Sequence, residues 1–287
     1  MAKRRVLVTG ATGQLSLQLL PVLRERYDLT LIDVKAEDRD GNVVDGVEVV
    51  DAMGVDDDTL RPYFEDIDTV LALAVKRVPS DDLETLYRDE RYNVDMMHRT
   101  YRLATETGVR RVVSASTNQA TKWYERPWHD GLCDRVGPED YPKPERYYGW
   151  AKVAYESLGF LFACGNLGVT LENVQLRIVV PREVRLSDFV GRHRRDYLRD
   201  IAGWISDRDL QQLFVKSIET PDITDEYGVP FQIFYGVSAN TRTFWSISNA
   251  RRVIGYAPED DSEVTFSNEI AKVTHRDVEE ITEELLA

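Results

Sequence analysis

The chain has 287 residues and a formal net charge of −14 at pH 7, from 36 lysines and arginines against 50 aspartates and glutamates. This excess of acid disfavours nucleic acid and anionic membranes as partners, because both attract basic surfaces. The two cysteines, Cys133 and Cys164, exclude a disulfide framework, and no cysteines and histidines cluster at the spacing of a metal site. We find neither a signal peptide nor an apolar run of about 18 residues. We therefore expect a cytoplasmic globular protein without a metal ion.

Short β-branched runs alternate with longer amphipathic stretches over the first two-thirds of the chain. This alternation is typical of a parallel sheet covered by helices on both faces, so we predict an α/β protein with a Rossmann-type doubly wound sheet. The predicted strands are Val6–Thr9, Leu29–Asp33, Val47–Val50, Thr69–Ala74, Arg111–Ala115 and Thr170–Arg177. The predicted helices are Gln14–Arg26, Asp57–Phe64, Arg91–Thr107 and Arg146–Cys164.

The pattern becomes irregular from about residue 178. A basic stretch is followed by a predicted helix near Asp207–Lys216, a predicted strand Phe231–Tyr235 and several short helices. We therefore predict a dinucleotide-binding region over residues 1–178 and a smaller substrate-binding region over residues 179–287, within one compact unit.

A glycine-rich turn joins the first predicted strand to the first predicted helix. Gly10 permits the tight turn, and Gly13 lets a pyrophosphate approach the backbone at the positive end of the helix dipole. The third position of this turn is commonly glycine or alanine, and here it is Ser16, a mild departure. The pattern predicts a dinucleotide site with contacts from Gly10, Thr12, Gly13, Gln14 and Leu15.

Asp33 ends the second predicted strand, about 20 residues past the glycines. A carboxylate there can accept hydrogen bonds from the adenosine ribose and repels a 2′-phosphate, which favours NAD over NADP; the alternative is a solvated strand end. Lys3 and Lys35 lie nearby in the sequence and could weaken that preference. The predicted NAD contacts are completed by residues at other strand ends, namely Asp51, Ala72, Ala74 and Ile178.

Tyr148 and Lys152 stand four residues apart, one turn apart on a single helical face. They open the helix that follows the fifth predicted strand, after which come the hydroxyls of Ser116 and Thr117. A tyrosine with a pKa near 10 is a poor base at neutral pH, but a neighbouring ammonium and a cationic nicotinamide both favour its phenolate. We therefore predict that Tyr148 is a general base. The alternative is that Tyr148 only packs and Lys152 extends its amine to solvent.

These motifs, in this order, resemble those of the extended short-chain dehydrogenase/reductases. They are most similar to the uronate dehydrogenases within that group, which oxidise a hexuronic acid at its anomeric carbon. The resemblance is local but spans nearly the whole chain. It rests on Val6-Leu7-Val8-Thr9-Gly10-Ala11-Thr12-Gly13-Gln14-Leu15, Ala115-Ser116-Thr117-Asn118, Tyr148-Gly149-Trp150-Ala151-Lys152, Leu176-Arg177-Ile178, Trp204-Ile205-Ser206, Gly236-Val237-Ser238-Ala239-Asn240 and Gly255-Tyr256.

The resemblance implies specific roles. Thr117 would be the catalytic hydroxyl, Tyr148 the base and Lys152 its activator, with NAD as the cofactor. Asn118 would line the sugar pocket, and Arg199 would hold the substrate carboxylate. The resemblance also implies a homodimer or higher homo-oligomer, with contacts through the helices around residues 91–107 and 146–164.

The departures from the family pattern concern the substrate. Gln119 stands where the family has a histidine, Lys76 and Arg77 replace small residues after the fourth strand, and Arg242 replaces another small residue. An apparent insertion adds the basic cluster Arg192–Arg195. Basic side chains in several segments facing the cleft suit an anion with more than one strong acceptor, so we predict Lys76, Arg77, Gln119, Arg199 and Arg242 as substrate contacts. A solvated face is the alternative for Arg192–Arg195.

We therefore predict an enzyme that oxidises an anionic sugar, a uronate, sugar phosphate or sulfosugar, at the anomeric carbon with NAD, giving an aldonolactone. One alternative is a nucleotide-sugar epimerase or dehydratase that retains its NAD. The other is a non-catalytic, NAD-sensing regulator, although such proteins typically lack the tyrosine or the lysine.

Overall fold

A computed structural model describes residues 3–77, 80–274 and 279–286. Seven parallel strands form one sheet in the order β3-β2-β1-β4-β5-β6-β7. Crossover helices cover both faces, so the predicted doubly wound Rossmann fold is confirmed. The strands are β1 Arg5–Thr9, β2 Asp28–Asp33, β3 Val47–Val49, β4 Thr69–Ala72, β5 Arg111–Thr117, β6 Glu172–Ile178 and β7 Phe231–Gly236.

The helices of the first half connect these strands, and those of the second half lie mainly beyond β6. Short 3₁₀ turns over Arg61–Phe64, Asn118–Tyr124, Leu186–Phe189 and Glu283–Leu285 supplement them. The α-helices are α1 Gln14–Arg26, α2 Asp57–Leu60, α3 Leu83–Glu106, α4 Glu125–His129, α5 Tyr147–Ala163, α6 Arg194–Gly203, α7 Asp207–Glu219, α8 Ser248–Ile254, α9 Ser262–Thr265 and α10 Ser267–Thr274.

The core lies on both sides of the sheet. Val6, Leu7 and Val8 of β1 are fully buried in succession, because a central parallel strand has helices over both faces. Val6 and Val8 pack into one hydrophobic cluster, with α1 and α7, while Leu7 packs into the other, with α3 and α5. A third cluster forms under α6 and α10. The sheet is therefore buried on both faces, and the candidate site described below lies at the carboxyl ends of its strands.

Several boundaries differ from the predicted ones for reasons of pairing. β4 ends at Ala72 rather than residue 74, because its neighbour β1 ends at Thr9 and turns away. β5 continues to Thr117, because it stays paired with β6 as far as Ile178. Helix α3 begins at Leu83, eight residues before the predicted start at Arg91, since the Asp82 carboxylate caps it through the Thr85 amide.

The region predicted to bind substrate, residues 179–287, also contributes a strand to the sheet. Strand β7 lies beside β6, so the sheet continues past residue 178. The basic cluster 192–195 starts helix α6: the His193 ring caps the Arg195 amide, and Arg194 and Arg195 lie in the first turn. No helix within residues 3–77, 80–274 and 279–286 is long and apolar enough to cross a membrane.

Candidate active site

The glycine-rich turn leaves β1 at the carboxyl edge of the sheet. Gly10 adopts a φ of +73°, and a Cβ added there would lie 2.7 Å from the backbone N and Cα of Ala74. The hydroxyl of Ser16, the departure from the usual small residue, donates to the Gly10 carbonyl at 2.7 Å and so fastens the turn. Gly13 caps α1 without a side chain, which leaves the first N–H groups of the helix for a phosphate.

Asp33 stands at the end of β2, facing this turn. Its carboxylate accepts from the Thr12 amide at 2.9 Å and from the Thr12 hydroxyl at 2.8 Å. The nearby lysines are engaged elsewhere: Lys35 Nζ donates to the Asp38 carbonyl, and Lys3 Nζ donates to the Glu25 carbonyl. Asp33 is therefore fixed against the turn by Thr12, and neither lysine pairs with it.

The remaining predicted cofactor residues have distinct surroundings. Leu15 is partly buried on α1, and the Gln14 amide donates to the Pro181 carbonyl at 3.3 Å. Ala72 and Ile178 are buried within the sheet. Exposed Asp51 lies past β3 and accepts from the Met53 amide at 3.0 Å.

Helix α5 brings Tyr148 against the end of β5. A Cβ added at Gly149 would lie 2.5 Å from the carbonyl oxygen of Gln119, so only glycine permits this approach. Thr117, the last residue of β5, uses its hydroxyl to accept from the Gln119 amide at 3.2 Å. The Ser116 hydroxyl instead donates to Glu156 at 2.7 Å, inside the core. Of the two hydroxyls, Thr117 is therefore the one at the site.

Lys152 is buried beneath Tyr148, with 4% of its surface exposed. Its Nζ donates to the Ala115 carbonyl at 2.8 Å and lies 5.7 Å from the centroid of the Tyr148 ring. Burial lowers the pKa of Lys152 to about 7, although the Glu90 carboxylate partly offsets this effect. Burial therefore makes the neutral amine more accessible to Lys152 than to an exposed lysine.

The cation closest to the phenol is Arg77. Its Nη2 lies 3.5 Å from the Tyr148 hydroxyl, and its guanidinium carbon lies 5.2 Å from the ring centroid. Burial raises the pKa of Tyr148, and Arg77 is the main group that lowers it. Arg77 is therefore a further cation beside the phenol, in addition to the predicted Lys152.

A buried polar chain supports the site from below. Glu156, one turn beyond Lys152 on α5, accepts from Arg177 Nε and Nη2, both at 2.8 Å. Arg177 Nη1 donates to the Tyr235 hydroxyl at 3.0 Å, and that hydroxyl lies 2.8 Å from Thr121. These contacts join α5, β6, β7 and the 3₁₀ turn after β5, which fixes Lys152 relative to the strand end.

Tyr148 opens into a cavity of about 620 Å³. It is lined by acidic, basic and polar side chains from the segment after β4, from α3, from the turn after β5 and from the start of α5. The lining residues are Lys76, Arg77, Leu86, Asp89, Glu90, Gln119, Lys122, Glu145, Arg146 and Tyr148.

Residues 6–168 match the family described as the NAD dependent epimerase/dehydratase family. The chain belongs to this family. It is accordingly an NAD-dependent oxidoreductase, and the Gly10 turn, the open start of α1 and Asp33 fit NAD.

Two curated relatives in this NAD-dependent family come from Haloferax volcanii. The chain is 30% identical to an NAD-dependent glucose-6-phosphate dehydrogenase, over 92% of this chain and 97% of the relative. It is also 30% identical to an L-arabinose 1-dehydrogenase (NAD(P)⁺), over 90% of this chain and 97% of that relative. Among solved structures, uronate dehydrogenase from Agrobacterium tumefaciens has the same fold, with a TM-score of 0.69 at 22% identity over 96% of this chain and 91% of that chain.

In this family member, Arg199 and Arg242 are both already paired. Arg199 Nε and Nη2 donate to Glu125 at 3.0 and 2.7 Å, and its Nη1 donates to Asp200 at 2.8 Å. Arg242 lies 2.5 Å from Glu263 and does not line the cavity. Asn118 is buried and donates to Glu125 at 3.4 Å. Arg199 and Arg242 therefore do not line the cavity that contains Lys76 and Arg77, and their role as substrate contacts stays a prediction.

Sequence reasoning missed the acidic residues of the site. Glu90 and Asp89 lie near the start of α3, in the two turns that the prediction left out. Asn93 of the same helix fixes the segment after β4, since its side chain bonds both the N–H and the carbonyl of Lys76. Asp82, a residue type common at helix N-caps, could have indicated the earlier start of α3. Nothing in the sequence signalled the long-range pairing of Glu125 with Arg199.

Proposed function

We propose that this protein oxidises an aldose bearing a distal anionic group at its anomeric carbon, passing hydride to NAD and releasing an aldonolactone. The hydroxyl proton of the anomeric carbon goes to the phenolate of Tyr148. The C1–H bond breaks as hydride transfer, and the C1–O bond becomes a carbonyl, so the sugar loses two electrons and NAD gains them.

The side chains around Tyr148 suit these steps. The Thr117 hydroxyl orients the reacting oxygen beside the phenol, at the end of β5. Arg77, from the exposed segment after β4, and Lys152, from the buried face of α5, stabilise the phenolate. NAD supplies the hydride acceptor. Tyr148 must be deprotonated to act, which a cation in contact with its hydroxyl favours.

One observation supports the proposal that the substrate is an anion. The cavity into which Tyr148 opens is lined by four cations, Lys76, Arg77, Lys122 and Arg146. Within the described residues, neither Arg77 nor Arg146 forms an ion pair with a carboxylate. Unpaired cations beside a catalytic tyrosine attract a negatively charged substrate, because charge-assisted hydrogen bonds are about twice as strong as neutral ones.

The relatives support a sugar as the substrate. An NAD-dependent glucose-6-phosphate dehydrogenase matches over nearly its whole length, and the uronate dehydrogenase of Pseudomonas syringae pv. tomato is 29% identical over 91% of this chain. Both names describe oxidation of a sugar that carries an anion. The L-arabinose 1-dehydrogenase places its oxidation at carbon 1 by name.

The proposal extends to a homo-oligomer. Tyr87 of α3 and Tyr147 and Trp150 of α5 form an exposed aromatic cluster, with ring centroids 5.7 to 6.5 Å apart. Exposed aromatic side chains on adjacent helices favour association. The mass in solution, measured by light scattering, tests this point.

The test of the function is an NADH-formation screen with matched hexoses. Glucose 6-phosphate, glucuronate, a sulfosugar and glucose are each incubated with the protein and NAD, and absorbance at the NADH band is followed. We expect NADH with at least one anionic sugar, at a higher kcat/KM than with glucose. Equal kcat/KM for charged and neutral sugars would contradict the anionic pocket. Conversion of a nucleotide sugar without net NADH would indicate an epimerase instead.

A further inference from the structure

Arg199 is the cation that the sequence singled out for a substrate carboxylate, yet its hydrogen-bonding edge is occupied. Two of its nitrogens donate to one oxygen of Glu125, and a third donates to Asp200. Its guanidinium carbon lies 5.3 Å from the centroid of the Trp245 ring, and only 9% of the residue is exposed. A substrate carboxylate could reach this guanidinium only by displacing one of the two protein carboxylates.

Glu125 is itself buried and contacts residues of the site. It is 6% exposed, and it accepts from Asn118, which adjoins Thr117, as well as pairing with Lys122. Displacing Glu125 from Arg199 would leave a buried carboxylate short of partners, which is costly. This cost favours keeping the pair when the sugar binds.

The cavity beside Tyr148 holds the cations left for the substrate. Lys76, Arg77, Lys122 and Arg146 line it together with Asp89, Glu90 and Glu145. Lys76 pairs with Asp89 and Lys122 with Glu125, whereas Arg77 and Arg146 form no ion pair with a carboxylate within the described residues. Two arginines that approach from different segments suit an anion with three terminal oxygens and two charges. A carboxylate, with two oxygens and one charge, suits a single arginine in a bidentate pair.

We propose that Glu125 is a specificity-determining residue. By holding Arg199, it withdraws that guanidinium from sugar recognition, so that the distal anion is bound by the cations around Tyr148 and an aldose phosphate is selected over a hexuronate. This inference rests on the proposed function, because it assumes that the site oxidises an anionic aldose.

The experiment compares kcat/KM for glucose 6-phosphate, glucuronate and glucose in the wild-type protein and in Glu125→Gln. The wild type should favour the phosphate over glucuronate by at least about tenfold. Glu125→Gln frees both Arg199 and Lys122, and release of Arg199 should raise kcat/KM for glucuronate at least about tenfold relative to the phosphate. Adding Arg199→Gln to Glu125→Gln should cancel that gain, since the released guanidinium is its cause.

Glu145→Gln is the matched control. It removes one carboxylate from the rim of the same cavity, but its partner is Arg126 rather than Arg199. It therefore removes one negative charge near Tyr148 while leaving the Glu125–Arg199 pair intact, and it should not shift the glucuronate-to-phosphate ratio toward the Glu125→Gln value. Thermal melting checks that each variant is folded.

Two results would overturn the inference. One is a wild-type protein that favours glucuronate, a measurement that needs no variant. The other is the same glucuronate-to-phosphate ratio in Glu125→Gln as in Glu145→Gln. If Glu125→Gln does not fold, Glu125→Asp, with a shorter reach to Arg199, should shift the ratio in the same direction by a smaller factor, and no shift would count against the inference. Absence of NADH with every sugar would instead contradict the proposed function.

Discussion

At the scale of single residues, the site depends on what surrounds one phenol. Tyr148 is partly buried, which raises its pKa, while the Arg77 guanidinium lies 3.5 Å from its hydroxyl and lowers it. Lys152 is placed below, bonded to the Ala115 carbonyl. The phenol thus has one cation facing the cavity and another facing the core.

We expect Tyr148→Phe to lose at least about 10²-fold in kcat while NAD binding persists, because a general base contributes at least that much. The rate is measured as NADH formation, and cofactor affinity by calorimetry. Tyr147→Phe, which removes a hydroxyl from the adjacent residue of the same helix, is the control and should keep wild-type activity. A Tyr148→Phe protein with most of its activity would show that another group removes the proton.

Asp33 is expected to favour NAD over NADP, since its carboxylate repels a 2′-phosphate and neither Lys3 nor Lys35 pairs with it. Asp33→Ser should narrow the ratio of kcat/KM for NAD to that for NADP by at least about tenfold, or about 1.4 kcal/mol. Asp40→Ser removes the same charge from an exposed residue of the following loop and should leave the ratio unchanged. Equal use of both cofactors by the wild type would remove Asp33 from this role.

The residues that sequence reasoning found are those with a local signature. Gly10 and Gly13 lie in a turn between a strand and a helix, and Tyr148 and Lys152 are one helical turn apart. Glu125 and Glu156 have no such signature: each is defined by a partner 74 or 21 residues away in the chain. A single sequence does not report pairs of this kind, so the partners of Glu125 and Glu156 could not be predicted from it.

At the scale of elements, the approach of α5 to the end of β5 decides where the phenol lies. Residues 148, 152 and 156 form one row on this helix, directed in turn at the cavity, the backbone of β5 and the buried Arg177. Because the row is rigid, a displacement of the helix moves all three side chains together.

Gly149→Ala tests this approach. The added methyl would lie 2.5 Å from the Gln119 carbonyl, so the helix must move away by several tenths of an ångström. We expect a loss of at least about tenfold in kcat and a lower melting temperature, because overpacking costs about 1–3 kcal/mol. Gly137→Ala is the control, since a Cβ there meets nothing closer than 3.8 Å. Unchanged activity of Gly149→Ala would mean that the tyrosine tolerates the displacement.

Predicted elements were accurate wherever the pattern was long and periodic. The bounds of α1 were predicted to the residue, and every strand of the first two-thirds was located within two residues at either end. The start of α3 was wrong by eight residues, because its first two turns are acidic and mostly face the cavity or solvent rather than the core. An amphipathic pattern reports burial against the core, and it is weakest where a helix lines a site.

At the scale of the whole molecule, Lys152 makes stability depend on pH. Burial lowers its pKa from 10.5 to about 7, so between these values the unfolded chain binds more protons than the folded one. Stability therefore rises with pH across this window, by at most about 1.4 kcal/mol per pH unit.

The Lys152→Met variant isolates this effect. It removes the buried ammonium, so at pH 6 it should be more stable than the wild type, although inactive. The difference in the free energy of unfolding should shrink as the pH rises to 9, because only the wild type gains from deprotonation. Urea unfolding at several pH values measures it. A difference that stays constant or widens would show that Lys152 is not held at a low pKa.

The contact between Gly10 and Ala74 has a thermodynamic consequence. The turn that receives the dinucleotide touches the backbone of the segment that carries Lys76 and Arg77, so the two ligand sites share a wall. If binding of one ligand changes that wall, it changes the affinity for the other ligand. Linkage requires that NAD change the affinity for the sugar by the same factor by which the sugar changes the affinity for NAD. We expect the sugar to bind more tightly in the presence of NADH, and calorimetric titrations with and without it measure the factor. A coupling of this sign would make the cofactor an effector of its own substrate within a single chain.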